Sequence, residues 1–148
     1  MGKIVLLERK TVKIGDVFHI LTSKGVCYGQ VTYFHPKLSA VVSIFREFYP
    51  KKPKNFTTVV SQEPQFITTF LIQYGVRQGL FSLAANVPVA DHLKKFPIFR
   101  GTNNIKNENP TWFFWDGEKE WRVDRPLTEQ EKNTQEVHSF PVHLVCLR

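Results

Sequence analysis

The sequence predicts a mainly β fold, a strongly bent antiparallel sheet or small barrel with one or two short helices, as a single domain over residues 1–148. Three observations lead there. The apolar stretches are short, many of them alternate with polar residues, and they end at Gly, Pro or Asn, which is the punctuation of strands. Aromatic residues make up 14% of the chain, with 13 Phe among them, and such side chains suit the pleated surface of a sheet. The segment Trp112-Phe-Phe-Trp-Asp-Gly-Glu-Lys-Glu-Trp-Arg-Val123 sets Asp116-Gly117 between two apolar runs. That pair marks a hairpin, because glycine accepts the positive φ of a tight turn.

Taken in order, Val17 to Leu21 reads as a first strand and Val26 to Phe34 as its partner, joined by the turn Thr22-Ser-Lys-Gly25. His35-Pro36-Lys37 closes the second strand, since proline has no N–H for the ladder. Ser39 to Phe48 reads as a third strand ending at Tyr49-Pro-Lys-Lys-Pro, so the first fifty or so residues form a curled meander. Lys51, Lys52 and Lys54 with two prolines make an exposed basic loop. Phe66 to Tyr74, β-branched and aromatic, reads as a further strand, and Gly75 and Gly79 interrupt the chain beyond it. Leu80 to Ala85 fits a strand or a buried helical turn, because so short a run has no decisive period. Ala90 to Lys95 fits one helical turn, and Arg100 to Pro110, rich in Asn and Gly, a surface loop. Thr128 and Glu131 have capping-box spacing, which predicts a short polar helix from Glu129 to Gln135. The alternation of His138 to Arg148 predicts a final strand.

Composition narrows the function classes. At 42% hydrophobic and 22% charged, 148 residues can bury a core without a disulfide or a metal. No apolar run approaches the roughly 18 residues of a membrane span. Ile4 to Leu7 is far shorter than a signal-peptide core, and Leu6 stands where a myristoylation signal wants Ser or Thr. Cys27 and Cys146 are therefore read as buried free thiols, and the chain as cytoplasmic with no membrane partner. The net charge is +7 but unevenly placed: residues 1–107 carry 15 Lys/Arg against 5 Asp/Glu, and residues 108–148 carry 5 against 8. Such a chain can attract nucleic acid, or protein patches of either sign.

Catalytic and cofactor motifs are not found. The chain has no glycine-rich phosphate cradle and no G-x-S-x-G elbow. His138, His143 and Cys146 are an odd number of positions apart, so successive ones face opposite sides of a strand and do not converge on a metal. Asp116, Glu118 and Glu120 lie on a turn and its outgoing strand, where carboxylates are solvated and lack the apolar pocket a general acid needs. Cys27 reads as a packing residue. The expectation is a non-enzyme without metal or cofactor. A nucleic-acid reading has some basis: Trp112, Phe113, Phe114, Trp115 and Trp121 near Arg122 and Arg125 have the composition of a single-strand stacking platform. Against it, these aromatics lie in the acidic third of the chain, and paired strand aromatics commonly fill sheet cores.

Together the motifs resemble the bacterial polymorphic-toxin immunity protein 26 family. The resemblance rests on Ile14-Gly-Asp-Val-Phe-His-Ile20 followed by Val26-Cys-Tyr-Gly-Gln-Val31, which is similar to a G-D-x-F strand and a [YF]-G-[QR]-V strand in that family. It continues in Trp115-Asp-Gly, Arg122-Val-Asp, Leu127-Thr-Glu-Gln and the final apolar strand, while residues 51–110 match in general character only. The resemblance implies a mostly β immunity protein that binds and neutralises a cognate toxin in bacterial competition, as a toxin inhibitor with no chemistry of its own.

The matched residues read as structural. Gly15 and Gly29 suit turns or close strand approach, Asp16 can accept from nearby backbone amides, and Phe18 and Tyr28 can pack a core. Toxin contacts must discriminate between related partners and are expected elsewhere. Two charged surfaces are candidates. Asp116, Glu118, Glu120 and Asp124 form an acidic patch able to enter a basic cleft, and Lys51, Lys52 and Lys54 could meet an acidic toxin.

Overall fold

Gly15, at φ +92°, turns the chain into β1 (Asp16–Thr22), which pairs with β2 (Gly25–His35) as an antiparallel hairpin. A Cβ at Gly15 would lie 2.7 Å from the Val87 carbonyl oxygen, so both conformation and space require glycine here. In the computed structural model, which describes residues 11–36, 39–102, 108 and 110–136, this hairpin is the centre of a five-stranded sheet. With β3 (Ser39–Phe45), β4 (Pro64–Phe70) and β5 (Ser82–Asn86) the order is β4-β3-β2-β1-β5, every pair antiparallel.

β2 is the middle strand, and Cys27 to Thr32 are buried without interruption. That run needs cover on both faces, and alternation supplies apolar side chains to each. Val17, Tyr28 and Phe45 pack with Phe56, Val59 and Val60 of α1 (Phe56–Val60) and with Val89 and Leu93. Phe18, Val31, Ala40 and Val42 pack with Val12 and with Ile72 of α2 (Ile72–Arg77). Phe18 and Gly29 are register partners, and an added Cβ at Gly29 would come within 2.4 Å of the Phe18 ring and 2.9 Å of Ile44 Cδ1.

The chain packs as two compact units, Met1–Lys95 and Phe96–Arg148. In the second, β6 (Phe99–Thr102), β7 (Trp112–Trp115) and β8 (Glu120–Val123) form an antiparallel sheet in the order β8-β7-β6. The two-residue β9 (Gln135–Glu136) runs parallel to β6. Aromatic rings fill its centre: Phe96 meets Trp115 edge-on at 4.8 Å and Phe99 at 5.5 Å, and Phe114 stacks on Trp121. α3 (Glu129–Lys132) starts at the expected capping box, with both the Thr128 and the Glu131 side-chain bonds made.

The mainly β class stands, but the expected bend does not: no sheet is closed or strongly curled, and among the described residues there are three short α-helices and a 3-10 turn at Asp91–Leu93. The strand expected over Phe66 to Tyr74 ends at Phe70. Beyond it Ile72, Gly75 and Val76 fall at helical spacing, the first two are buried, and the chain turns into α2. Gly75 lies inside that helix because a Cβ there would meet Phe81 at 2.6 Å. β3 stops three residues short of Phe48, and Tyr49 keeps only a single bridge to Val26. The sequence reading has no counterpart of α1; its signal is Asn55, whose Oδ1 accepts from Thr57 N at 2.9 Å. Leu80 to Ala85 resolves as a strand, β5, and Arg100 to Thr102 pair within β6 in place of the expected loop. The helix expected to Gln135 is shorter, ending at Lys132. The strand expected over His138 to Arg148 lies outside the described residues. No helix among the described residues is long and apolar enough to cross a membrane.

Overpacking at the hairpin centre yields the first prediction. Gly29→Ala is expected to lower the unfolding free energy by about 1–3 kcal/mol in urea denaturation. Combined with Phe18→Leu, the loss should be smaller than the sum of the single losses, because the two sites share one volume. Additive losses would contradict the fit.

Candidate functional site

The acidic candidate is built on the β7–β8 hairpin. Its connection is the four residues 116–119 rather than a two-residue turn. Asp116 organises it: its N–H donates to the Lys119 carbonyl at 3.2 Å, and its Oδ1 accepts from Glu118 N at 2.9 Å and Lys119 N at 2.8 Å. Those backbone donors, Lys119 first, hold the Asp116 carboxyl below the usual aspartate range. Gly117, at φ +100°, completes the turn, and a Cβ there would lie 2.8 Å from the Phe96 ring. Asp124 is also engaged. It accepts from Thr111 Oγ1 at 2.9 Å and takes Arg122 Nε on both oxygens at 3.0 Å, and these bonds, Thr111 foremost, lower its pKa.

The four carboxylates therefore divide. Asp116 and Asp124 are committed to the shape of the hairpin, and Glu118 and Glu120 stand exposed at its turn and the start of β8. Glu120 sits opposite Trp115 in the register. The two exposed carboxylates are thus carried on a hydrogen-bonded hairpin, with buried Trp115 and Phe114 on the adjoining strand.

The stacking platform is not assembled as the sequence suggested. Phe114 and Trp115 are buried, and Trp112 and Phe113 are partly covered. Trp121 alone of the five is exposed, at 38%, and it lies nearly parallel to Phe114 with centroids 5.6 Å apart. Arg122 is held by Asp124, and Arg125 makes a two-pronged bond to Glu131 at 2.9 and 2.8 Å. Arg100 lies 4.8 Å over the Trp112 ring. Arginines already matched to carboxylates are poor donors for phosphate.

Lys51, Lys52 and Lys54 are exposed in the loop between the Tyr49 bridge and the Asn55 cap, with Lys52 Nζ 5.9 Å from the Phe56 ring. They belong to the first unit and the acidic hairpin to the second, so the two candidates lie on different units.

The motif residues at the start of the chain form a polar tie inside the first unit. Asp16 Oδ2 accepts from Lys13 N at 2.8 Å and Oδ1 from Asn86 Nδ2 at 2.8 Å. Gln30 Nε2 donates to the carbonyls of Gly15, at 3.3 Å, and Val87, at 2.9 Å. Gly15 N donates to Val31 O and Val87 N to Gly15 O, which locks β5 beside the hairpin. Asp16, Gly15, Gly29, Phe18 and Tyr28 thus act as the sequence implied, in the interior. Sequence reasoning misses Gln30 and Asn86; a glutamine inside an apolar strand run is the available signal.

Cys27 is a buried free thiol whose pKa burial pushes up. Cys146, His138 and His143 lie outside the described residues. Among the described residues no three His, Cys, Asp or Glu side chains gather as a metal set. Comparison with family models, curated proteins and solved structures gives no match for this chain.

The cap of α3 gives a pH prediction. Glu131 accepts from Arg125 and from Thr128 N, which lowers its pKa to about 2 from the ordinary 4.5. A folded pKa below the unfolded one adds stability that is complete above about pH 4.5 and lost as pH falls toward 2. A carbon-detected titration of the Glu131 carboxyl should find its midpoint near 2, and Arg125→Ala should raise it. A midpoint that ignores Arg125 would contradict the assignment.

Proposed function

We propose that this chain is an immunity protein, an immunity-protein-like β domain over residues 1–148 that binds and neutralises a cognate bacterial toxin in the cytoplasm and catalyses nothing. The resemblance at the first hairpin supports the family reading. The observation that carries the mode of action is the build of the second hairpin: Asp116 and Asp124 set its shape, and Glu118 and Glu120 are solvent-exposed on it. Carboxylates held on a preorganised hairpin lose little freedom on binding and steer association toward a basic cleft. The acidic hairpin is preferred over the lysine loop on this ground, since its backbone is fixed by Asp116 and the β7–β8 ladder, whereas Lys51, Lys52 and Lys54 lie between β3 and α1 in no helix or strand.

The test is co-expression with the product of the adjacent upstream gene, as the candidate toxin. The wild-type chain should restore growth and co-purify with the toxin in a 1:1 complex. Glu118→Lys with Glu120→Lys should weaken the complex by at least about tenfold, or about 1.4 kcal/mol, with the circular dichroism of the folded chain retained. If the double reversal still protects while Lys51, Lys52 and Lys54 changed to Glu do not, the basic loop is the contact. If the wild type neither protects nor binds, the immunity reading fails. Affinity for single-stranded nucleic acid that falls steeply with salt would then favour the runner-up, a basic β module.

A further inference from the structure

Gln30 has no exposed surface, and the two ends of its amide meet different fates. Nε2 donates to the carbonyl oxygens of Gly15 and Val87. That fixes the amide's orientation, since the flipped rotamer would set Oε1 against two carbonyl oxygens. Oε1 is left buried with no donor within hydrogen-bond distance among the described residues. Ser43 is the register partner of Gln30 on β3, also without exposed surface, and its Oγ is likewise without a partner among the described residues. Directly opposed residues share a face and hold their Cβ atoms about 4.5–5.5 Å apart. Two orphaned polar atoms, one an acceptor and one able to donate, therefore lie on adjacent strands of the buried middle of the sheet.

We propose that one ordered water molecule is bound between them, donating to Gln30 Oε1 and accepting from the Ser43 hydroxyl. The surroundings select so small a ligand. Val17 is the neighbour of Gln30 on β1 and Ile67 that of Ser43 on β4, and Val17 and Ile67 pack with Val59 and Val60 of α1. Two neutral oxygens in an apolar enclosure suit a neutral molecule with two to four hydrogen bonds and not an ion. The water makes the motif glutamine a connector with two working ends, one holding β5 to the hairpin and the other reaching β3. The water site stands independently of the immunity reading.

The test uses the full chain. A high-resolution crystal structure should show a density peak within hydrogen-bond distance of both Gln30 Oε1 and Ser43 Oγ. In solution, Ser43 should show a nuclear Overhauser effect to a long-lived water. Ser43→Val, which fills the space and removes the hydroxyl, should abolish that effect. A dry site, with the side chains bonded directly to each other or no long-lived water beside Ser43, would overturn the proposal. If Ser43→Val fails to fold, the two wild-type measurements decide it alone.

Discussion

The ring of Phe18 occupies the volume that any side chain at Gly29 would fill, and the first unit is arranged around that fit. Glycine in the middle of a central strand weakens it, having no side chain to pack and more freedom to lose. Here the loss is offset because the ring of the neighbouring strand closes over the gap, beside Val31, Ala40 and Val42. The hairpin so formed presents Val17 and Tyr28 to the opposite face, where α1 and the 87–93 segment cover them. Gly15, Asp16, Gln30 and Asn86 then fasten β5 to the outer side of β1 by side-chain bonds as well as by the ladder. One steric accommodation and one polar tie thus account for the signature residues of the first thirty positions.

Charge follows a similar economy in the second unit. Three of its carboxylates are committed to local shape: Asp116 to the turn, Asp124 to Arg122 and Thr111, Glu131 to Arg125 and the start of α3. A net acidic composition therefore overstates the charge on offer, and position along the hairpin matters more than the count. Exposed ion pairs of this kind contribute little to global stability. Their contribution is a defined geometry for the groups that remain exposed.

Much of this is legible in the sequence, for identifiable reasons. The first hairpin and the capping box are readable because each rests on contacts between neighbours in sequence, the turn at residues 22–25 and the Thr128–Glu131 pair. The Asp116-Gly117 signal locates the second hairpin but not its loop length, which depends on Asp116 accepting two backbone N–H groups. α2 is hidden because Leu71 to Tyr74 continues the β-branched and aromatic character of β4, and it is the packing of Ile72 against the first three strands and of Gly75 against Phe81 that distinguishes it. The absence of a closed barrel is equally beyond sequence, since closure depends on pairing between strands distant along the chain. For the candidate site, the residue types are legible, and their split into structural and displayed carboxylates is not.

The central proposal, that a preorganised acidic hairpin is the toxin-binding surface, is tested most directly by hydrogen–deuterium exchange of the chain with and without the proposed toxin. The account predicts that added protection concentrates on residues 116–123, while the central strand β2, already buried, changes little. Protection confined to the Lys51–Lys54 loop, or none at all in a neutralising complex, would contradict it.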